Sequence, residues 1–194
     1  MTFTVHTGTA VPMRRSDVDT DQIIPARFVP YFSWTGHTNA LFADWRAEPD
    51  FVLNLPQYQG ATILVAGRRF GTGSSRESAV WAIQKSGFIA VIAPSFGDIF
   101  RSNAFMRRLA AIELPAAVVE SLWELIEQDS DLRITIDIEQ GEVRYGGFNV
   151  AFDLDPQAKH RMLGGVDMIA DTLRHVEDIV KYESLRRPTL PKTG

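Results

Sequence analysis

A chain of 194 residues, 45% hydrophobic and 23% charged, has the size and make-up of one soluble globular domain with its own core, and is short for two full-sized ones. A formal charge of −4, from 24 acids interspersed with 20 bases, leaves no basic face for nucleic acid or an anionic membrane surface. Cysteine is absent, which excludes disulfides, a thiolate nucleophile and any iron–sulfur cluster ligated by this chain's own thiolates.

The first residues, "MTFTVHTGTAVPMRRS", contain no continuous apolar segment of the kind a signal peptide needs. The longest apolar run, Phe88 to Ala93, is far too short to span a bilayer. A cytoplasmic protein is expected. Residues 1–29 carry short apolar pieces around the polar, turn-rich stretch "RRSDVDTD". Residues 30–58 are aromatic and irregular, without a sustained period, and long irregular segments of this kind are more often functional than mere spacers.

From Ala61 the pattern sharpens. "ATILVAG" (Ala61–Gly67) predicts a buried strand, residues 68–74 a glycine-rich loop, and "SRESAVWAIQKSG" a helix with Ala79, Val80, Ala82 and Ile83 on one face and Gly87 at its C-terminal cap. "FIAVIAP" predicts a second buried strand, completing a βαβ unit. "SFGDIFRSNAFMRRL" reads as a short helix leading into the strand "AAIEL", and "PAAVVESLWELIEQ" as an amphipathic helix with Pro115 near its first position. "LRITIDIEQGEVRYGGFNVAFDL" alternates and turns at Gln140–Gly141, which predicts antiparallel strands. "DPQAKHRMLGG" and "DMIADTLRHVEDIVKYES" read as helices, and residues 186–194 as a flexible tail. The sum is a single α/β domain over residues 1–194, with a mixed sheet flanked by helices.

The chemistry concentrates in "GRRFGTGSSRES", Gly67 to Ser78. Ser74 and Glu77 have the spacing of a capping box, in which the serine bonds the amide of residue 77 and the glutamate reaches back to the amide of residue 74. A second reading is an anion site. The loop follows the carboxyl end of a buried strand, where open α/β sheets place ligands. Gly71 and Gly73 let backbone amides face an anion at a helix N-terminus, and Arg76 supplies a two-pronged grip for a carboxylate. Nucleotide and hydrolase motifs fail. Walker A needs Gly-Lys-Ser/Thr where Ser74-Ser75-Arg76 stands, a dinucleotide fingerprint needs glycine at Arg76, and G-x-S-x-G lacks its last glycine. The indicated anion is therefore a small carboxylate or phosphate.

Asp17, Asp19 and Asp21 echo the start of a calcium loop, but Gln22 and Phe28 occupy its glycine and glutamate positions. Turn-forming carboxylates and a role beside the ligand both remain open for them. His6, His37, His160 and His175 are scattered without ligand spacing, and His37 alone lies in the aromatic segment.

Taken together, "DVDTDQIIPARF", "DFVLNLPQYQGATILVAG", "FGTGSSRE" and "VIAPSFGDIFRSNAF" resemble, in order and spacing, the small subunits of 3-isopropylmalate dehydratase in the aconitase superfamily. The likeness extends from about Val5 to about Pro188. It implies the swivelling β/β/α domain that forms the last domain of aconitase. It implies a hydro-lyase that interconverts 2- and 3-isopropylmalate in leucine biosynthesis, with a separate large subunit carrying a [4Fe–4S] cluster and no cofactor bound by this chain. Carried over by position, Ser74 would be the catalytic base, with Ser75 and Gly73 beside it, Arg76 the substrate-carboxylate clamp, and Thr20 and Asp21 a pair near the substrate. Phe28, Tyr31, Phe32, Trp34, Thr35 and His37 would line the alkyl group of the substrate, with core packing as the competing reading of the aromatic ones.

The chain departs from the family pattern at Ser78, where histidine is usual, at Trp34, where an arginine is usual, and in "FMRRL". Arg27 or Arg46 would then be stand-ins for the arginine missing at position 34. Two rival functions follow: a dehydratase for a related alkylmalate or homoaconitate-type acid, and a non-catalytic anion-binding module of the same fold.

Overall fold

The structure, a computed structural model, describes residues 4–31, 40–73, 76–164 and 172–186. The chain opens with β1 (Val5–Gly8), passes through Thr9 alone into β2 (Ala10–Met13), and continues into the short helix α1 (Thr20–Ile23). Short 3-10 segments at Ala26–Tyr31, Trp45–Ala47, Val52–Asn54 and Pro56–Tyr58 follow. Strands and helices then alternate: β3 (Ile63–Ala66), α2 (Glu77–Lys85), β4 (Ala90–Ala93), α3 (Asp98–Met106), β5 (Ala110–Glu113) and α4 (Ala116–Gln128). The strands β6 (Ile134–Asp137), β7 (Glu142–Tyr145) and β8 (Phe148–Ala151) precede α5 (Pro156–Gly164) and α6 (Val176–Leu185).

Hydrophobic pattern sorts the strands into two sheets. β2, β3, β4 and β5 are nearly continuous apolar runs and form a parallel sheet in that order. Every residue of the first three is buried, as expected for a sheet covered on both faces. β1, β6, β7 and β8 carry polar residues between apolar ones and form an antiparallel sheet in the order β1-β6-β7-β8. The expected α/β class is observed, with the parallel and antiparallel strands divided between two sheets rather than sharing one. Thr9 joins them: its carbonyl accepts from the amides of Thr62 at 3.1 Å and Ile63 at 3.2 Å.

α4 buries Val119, Leu122 and Ile126 and lies against β2, β3 and β4. Trp123 ties it to the sheet by donating from Nε1 to the carbonyl of Val65 at 2.8 Å. Pro115 is the cap residue of this helix, one place before the expected position. α2 is capped by Ser86, and Gly87 follows at a φ of +94°, which suits the glycine that commonly comes after a helix. The expected turn at Gln140–Gly141 joins β6 to β7, with Gly141 at φ +71°.

In the described part of the aromatic segment, the rings of Phe42, Trp45, Phe51 and Tyr58 belong to or pack against the core. Phe42 stacks on Trp45 at 5.3 Å, both rings meet Phe51, and the Arg15 guanidinium lies 4.2 Å from the Trp45 ring centre. By contact density the chain separates into two compact units, Met1–Leu163 and Gly164–Gly194. The first holds both sheets. In the second, α6 exposes Val176, Val180, Tyr182 and Leu185 to solvent.

Candidate functional site

Three loops leave the carboxyl ends of β2, β3 and β4 side by side and extend the parallel sheet irregularly. Asp19 bridges Thr72 and Phe70 bridges Phe96, both in the parallel sense. The backbone bonds run from loop to loop: Gly67 N to Arg15 O at 2.9 Å, Asp17 N to Arg68 O at 2.8 Å, Phe70 N to Ser95 O at 3.0 Å and Gly97 N to Phe70 O at 2.9 Å. Asp17 at φ +57° and Arg69 at φ +56° adopt the left-handed conformation beside one another, and the Asp17 carboxylate lies 3.3 Å from Nε of Arg69. Strain of this kind persists only where surrounding contacts impose it.

This zipper corrects one expectation about the glycine loop. The amides of Gly71 and Thr72 do not face an anion; both donate to the carbonyl of Val18, at 2.7 and 3.2 Å. With the Phe70 amide held by Ser95, the first part of the loop has its donors spent on the neighbouring loops. Gly71 is required for another reason. It sits at φ +76° over the Phe100 ring, where a Cβ would fall 2.2 Å from Cγ. Phe70, Phe96 and Phe100 form an aromatic wedge with centroids 5.3 to 6.3 Å apart beneath it. Gly73, at φ +91°, approaches α1, where an added Cβ would lie 3.3 Å from that of Asp19.

The capping-box reading of Ser74 and Glu77 rests on Ser74, which lies outside the described residues. α2 begins at Glu77 with Arg76 as its cap residue and no side-chain cap bond. The Glu77 carboxylate accepts from Nε of Arg107, at the far end of α3. The guanidinium of Arg107 lies 5.0 Å from the Trp81 ring centre, and its carbonyl accepts from Gln84 at 2.7 Å. The "FMRRL" departure thus clasps α3 to α2. The capping box the sequence reading overlooked is at α1, where Asp19 accepts from Gln22 N at 2.8 Å and Gln22 accepts from Asp19 N at 2.9 Å. Its signal, Asp-x-x-Gln, was present in the stretch tested as a calcium loop.

α1 is docked on the glycine loop by Thr20, which is fully buried and donates its amide to the carbonyl of Thr72 at 2.9 Å. The next residue, Asp21, is half exposed, and its Oδ1 accepts from Nη1 of Arg76, whose side chain is 27% exposed. The fold therefore unites Thr20, Asp21, Gly73 and Arg76 at the carboxyl end of the parallel sheet. Ser74 and Ser75 lie outside the described residues, as do Phe32, Trp34, Thr35 and His37. Tyr31 is described in its backbone alone, at the end of a 3-10 turn. Phe28 packs against the core, with the Arg27 guanidinium 4.8 Å from its ring centre.

Neither arginine named as a stand-in for position 34 is oriented by this site. Arg27 forms a surface pair with Asp44, each more than half exposed. Arg46 donates to the carbonyls of Leu41 at 3.0 Å and Leu53 at 3.2 Å, and burial pushes its pKa down. It holds the 41–54 segment together. Among the described residues no three His, Cys, Asp or Glu side chains gather to hold a metal ion, and no helix is long and apolar enough to cross a membrane.

Residues 1–117 match the family model of the aconitase C-terminal domain. The 3-isopropylmalate dehydratase small subunit of Thermobifida fusca (strain YX) is 52% identical over 191 residues, 98% of each chain. Those of Acidothermus cellulolyticus and Streptomyces coelicolor are 52% and 49% identical over 98% of this chain and 97% of theirs. Among solved structures, the 3-isopropylmalate dehydratase (leuD) from Methanocaldococcus jannaschii aligns with a TM-score of 0.63 at 25% identity, covering 91% of this chain and 98% of that one.

Proposed function

Because the chain belongs to the aconitase C-terminal domain family, among the 3-isopropylmalate dehydratase small subunits, we propose that it is one half of a two-chain hydro-lyase isomerising 2- and 3-isopropylmalate in leucine biosynthesis. The observation that supports this most directly is the meeting of Asp21 with Arg76, fifty-five positions apart. It joins the two motifs most suggestive of carboxylate chemistry at the end of the sheet where ligands bind.

In this reading Arg76 grips a carboxylate of the malate. The Ser74 oxygen takes a proton from the carbon next to the one bearing the hydroxyl, and the hydroxyl departs, leaving a double bond. Water then returns in the opposite sense, hydroxyl to the first carbon and proton to the second, so the product is an isomer and nothing is consumed. A [4Fe–4S] cluster on the large subunit supplies Lewis acidity toward the hydroxyl; this chain, without cysteine, has no thiolates to hold one. We place the pair in the cytoplasm.

Magnitudes explain why two chains are needed. Each unit by which a serine hydroxyl's pKa is lowered requires ~1.4 kcal/mol. A helix N-terminus contributes roughly 0.3–2 kcal/mol and a charge-assisted hydrogen bond about 1.5–3 kcal/mol. The amides of residues 70–72 are already engaged, so the chain alone falls well short. A large subunit closing over the loop would exclude water and strengthen both effects.

The test is reconstitution with a cluster-bearing large subunit, following the ultraviolet absorbance of the unsaturated acid. Turnover of isopropylmalate by the mixture, and none by the chain alone, is the expected result. Preference for a smaller alkylmalate or a homoaconitate-type acid would reassign the substrate, in keeping with Trp34 in place of arginine. No turnover of any of them would leave an anion-binding module instead of an enzyme.

A further inference from the structure

We propose that Asp21 is a positioning residue for Arg76: its carboxylate holds one nitrogen of the guanidinium and thereby turns the rest of the fork toward the incoming carboxylate. This rests on the reading of Arg76 as the carboxylate clamp. A guanidinium carries five N–H donors in one rigid plane. Engaging Nη1 with Asp21 fixes that plane, and among the described residues Nε and Nη2 keep their donors along another edge. That edge can take a second carboxylate with two parallel bonds.

The two partners differ in how firmly they are placed. Asp21 projects from α1, a single turn pinned by the Asp19–Gln22 box, by the bond from the Thr20 amide to Thr72, and by the buried side chains of Thr20, Ile23 and Ile24. Arg76 is a long, rotamer-rich side chain just after the glycine loop. A fixed carboxylate that orders it in advance removes part of the entropy cost of substrate binding.

The sign of the effect separates this from a simple field. A carboxylate beside a binding arginine repels a dianion, so its removal strengthens binding if charge alone matters. Positioning gives the reverse. In the reconstituted two-chain enzyme, Asp21→Asn, which keeps the shape, is expected to raise KM for isopropylmalate by about tenfold, with a smaller fall in kcat. Asp21→Glu should recover part of the loss. In an Arg76→Lys background Asp21→Asn should add less than about twofold, because one group acts through the other. ¹⁵N spectra of the arginine side chains give a readout without turnover: slow guanidinium rotation at Arg76 in the wild type, faster in Asp21→Asn. An unchanged or lowered KM in Asp21→Asn, or full additivity with Arg76→Lys, overturns the positioning role while the wild type remains active. A wild-type complex silent toward every alkylmalate overturns the enzyme reading, and this one with it.

Discussion

Gly97 lies so close to Gly71 that a methyl group added at position 97 would fall 2.6 Å from the Gly71 carbonyl oxygen. The oxygen it would meet is backbone, in a loop that flanks the site, and cannot swing aside as a side chain would. Gly97→Ala should therefore push residues 71–76 away from α3. Overpacking of this kind costs roughly 1–3 kcal/mol. We expect a lowered melting temperature and, in the two-chain enzyme, a loss of turnover greater than that destabilisation explains at 25 °C. Thermal unfolding and kcat measured on the same preparation check both halves. Wild-type turnover in Gly97→Ala would show that the loop tolerates displacement.

Much of this was legible in the sequence. Buried parallel strands are apolar at every position, so "ILVA" and "AVIA" announce themselves without reference to partners. The division into two sheets is not local: β1 pairs with β6, at the other end of the unit, and its own four residues carry no mark of that partner. The site was visible as motifs but not as wiring. Glu77 sits at capping-box spacing, yet a charged partner thirty positions away, Arg107, takes its carboxylate. The glycines at 71 and 73 suggested amides aimed at a ligand, whereas Val18, in the neighbouring loop after β2, claims the Gly71 and Thr72 donors. Val18 and Arg107 are long-range partners with no local signal, whereas the Asp19–Gln22 box is satisfied locally.

Ser74→Ala tests the assignment of the base. The substitution removes one hydroxyl two residues beyond Thr72, whose amide, like that of Gly71, is held by the carbonyl of Val18. Stability should change by no more than the roughly 0.5–2 kcal/mol that loss of a serine cap costs. Turnover in the two-chain enzyme should fall by about 10²–10⁴ if Ser74 moves the proton. Urea denaturation and steady-state kinetics give the two numbers. Full activity in the alanine variant removes Ser74 as the base.

Trp123→Phe probes the attachment of α4 to the parallel sheet. The indole nitrogen donates to the Val65 carbonyl at 2.8 Å, and its ring carries the Arg14 guanidinium at 5.2 Å. Phenylalanine keeps most of the apolar contact but not the donor. The expected loss is about 0.5–1.5 kcal/mol for the bond, read as a lower urea midpoint with an unchanged m-value. A midpoint equal to that of the wild type would mean that water replaces the indole at Val65.

His6 gives stability a pH dependence with a definite sign. Its Nε2 lies 2.7 Å from Thr62 Oγ1, where β1 meets the turn into β3, and burial, then the charge of Arg133, pushes its pKa below the ordinary 6.5. As pH falls from 6.5, the unfolded chain takes up a proton that the folded chain resists. Between the two pKa values the unfolded state binds more protons, so stability rises with pH there. The contribution of His6 is complete above 6.5 and is lost as pH drops through the folded value. Glu127 and Asp44, whose pKa values are lowered by bonds from Arg14 and Arg27, lose their contributions in the same direction but in the carboxylate range, below about pH 5. His6→Gln keeps a polar partner near Thr62 and removes the titration. Urea midpoints taken between about pH 7.5 and 5 should slope less steeply in this variant than in the wild type. Equal slopes would remove His6 as the source of the dependence.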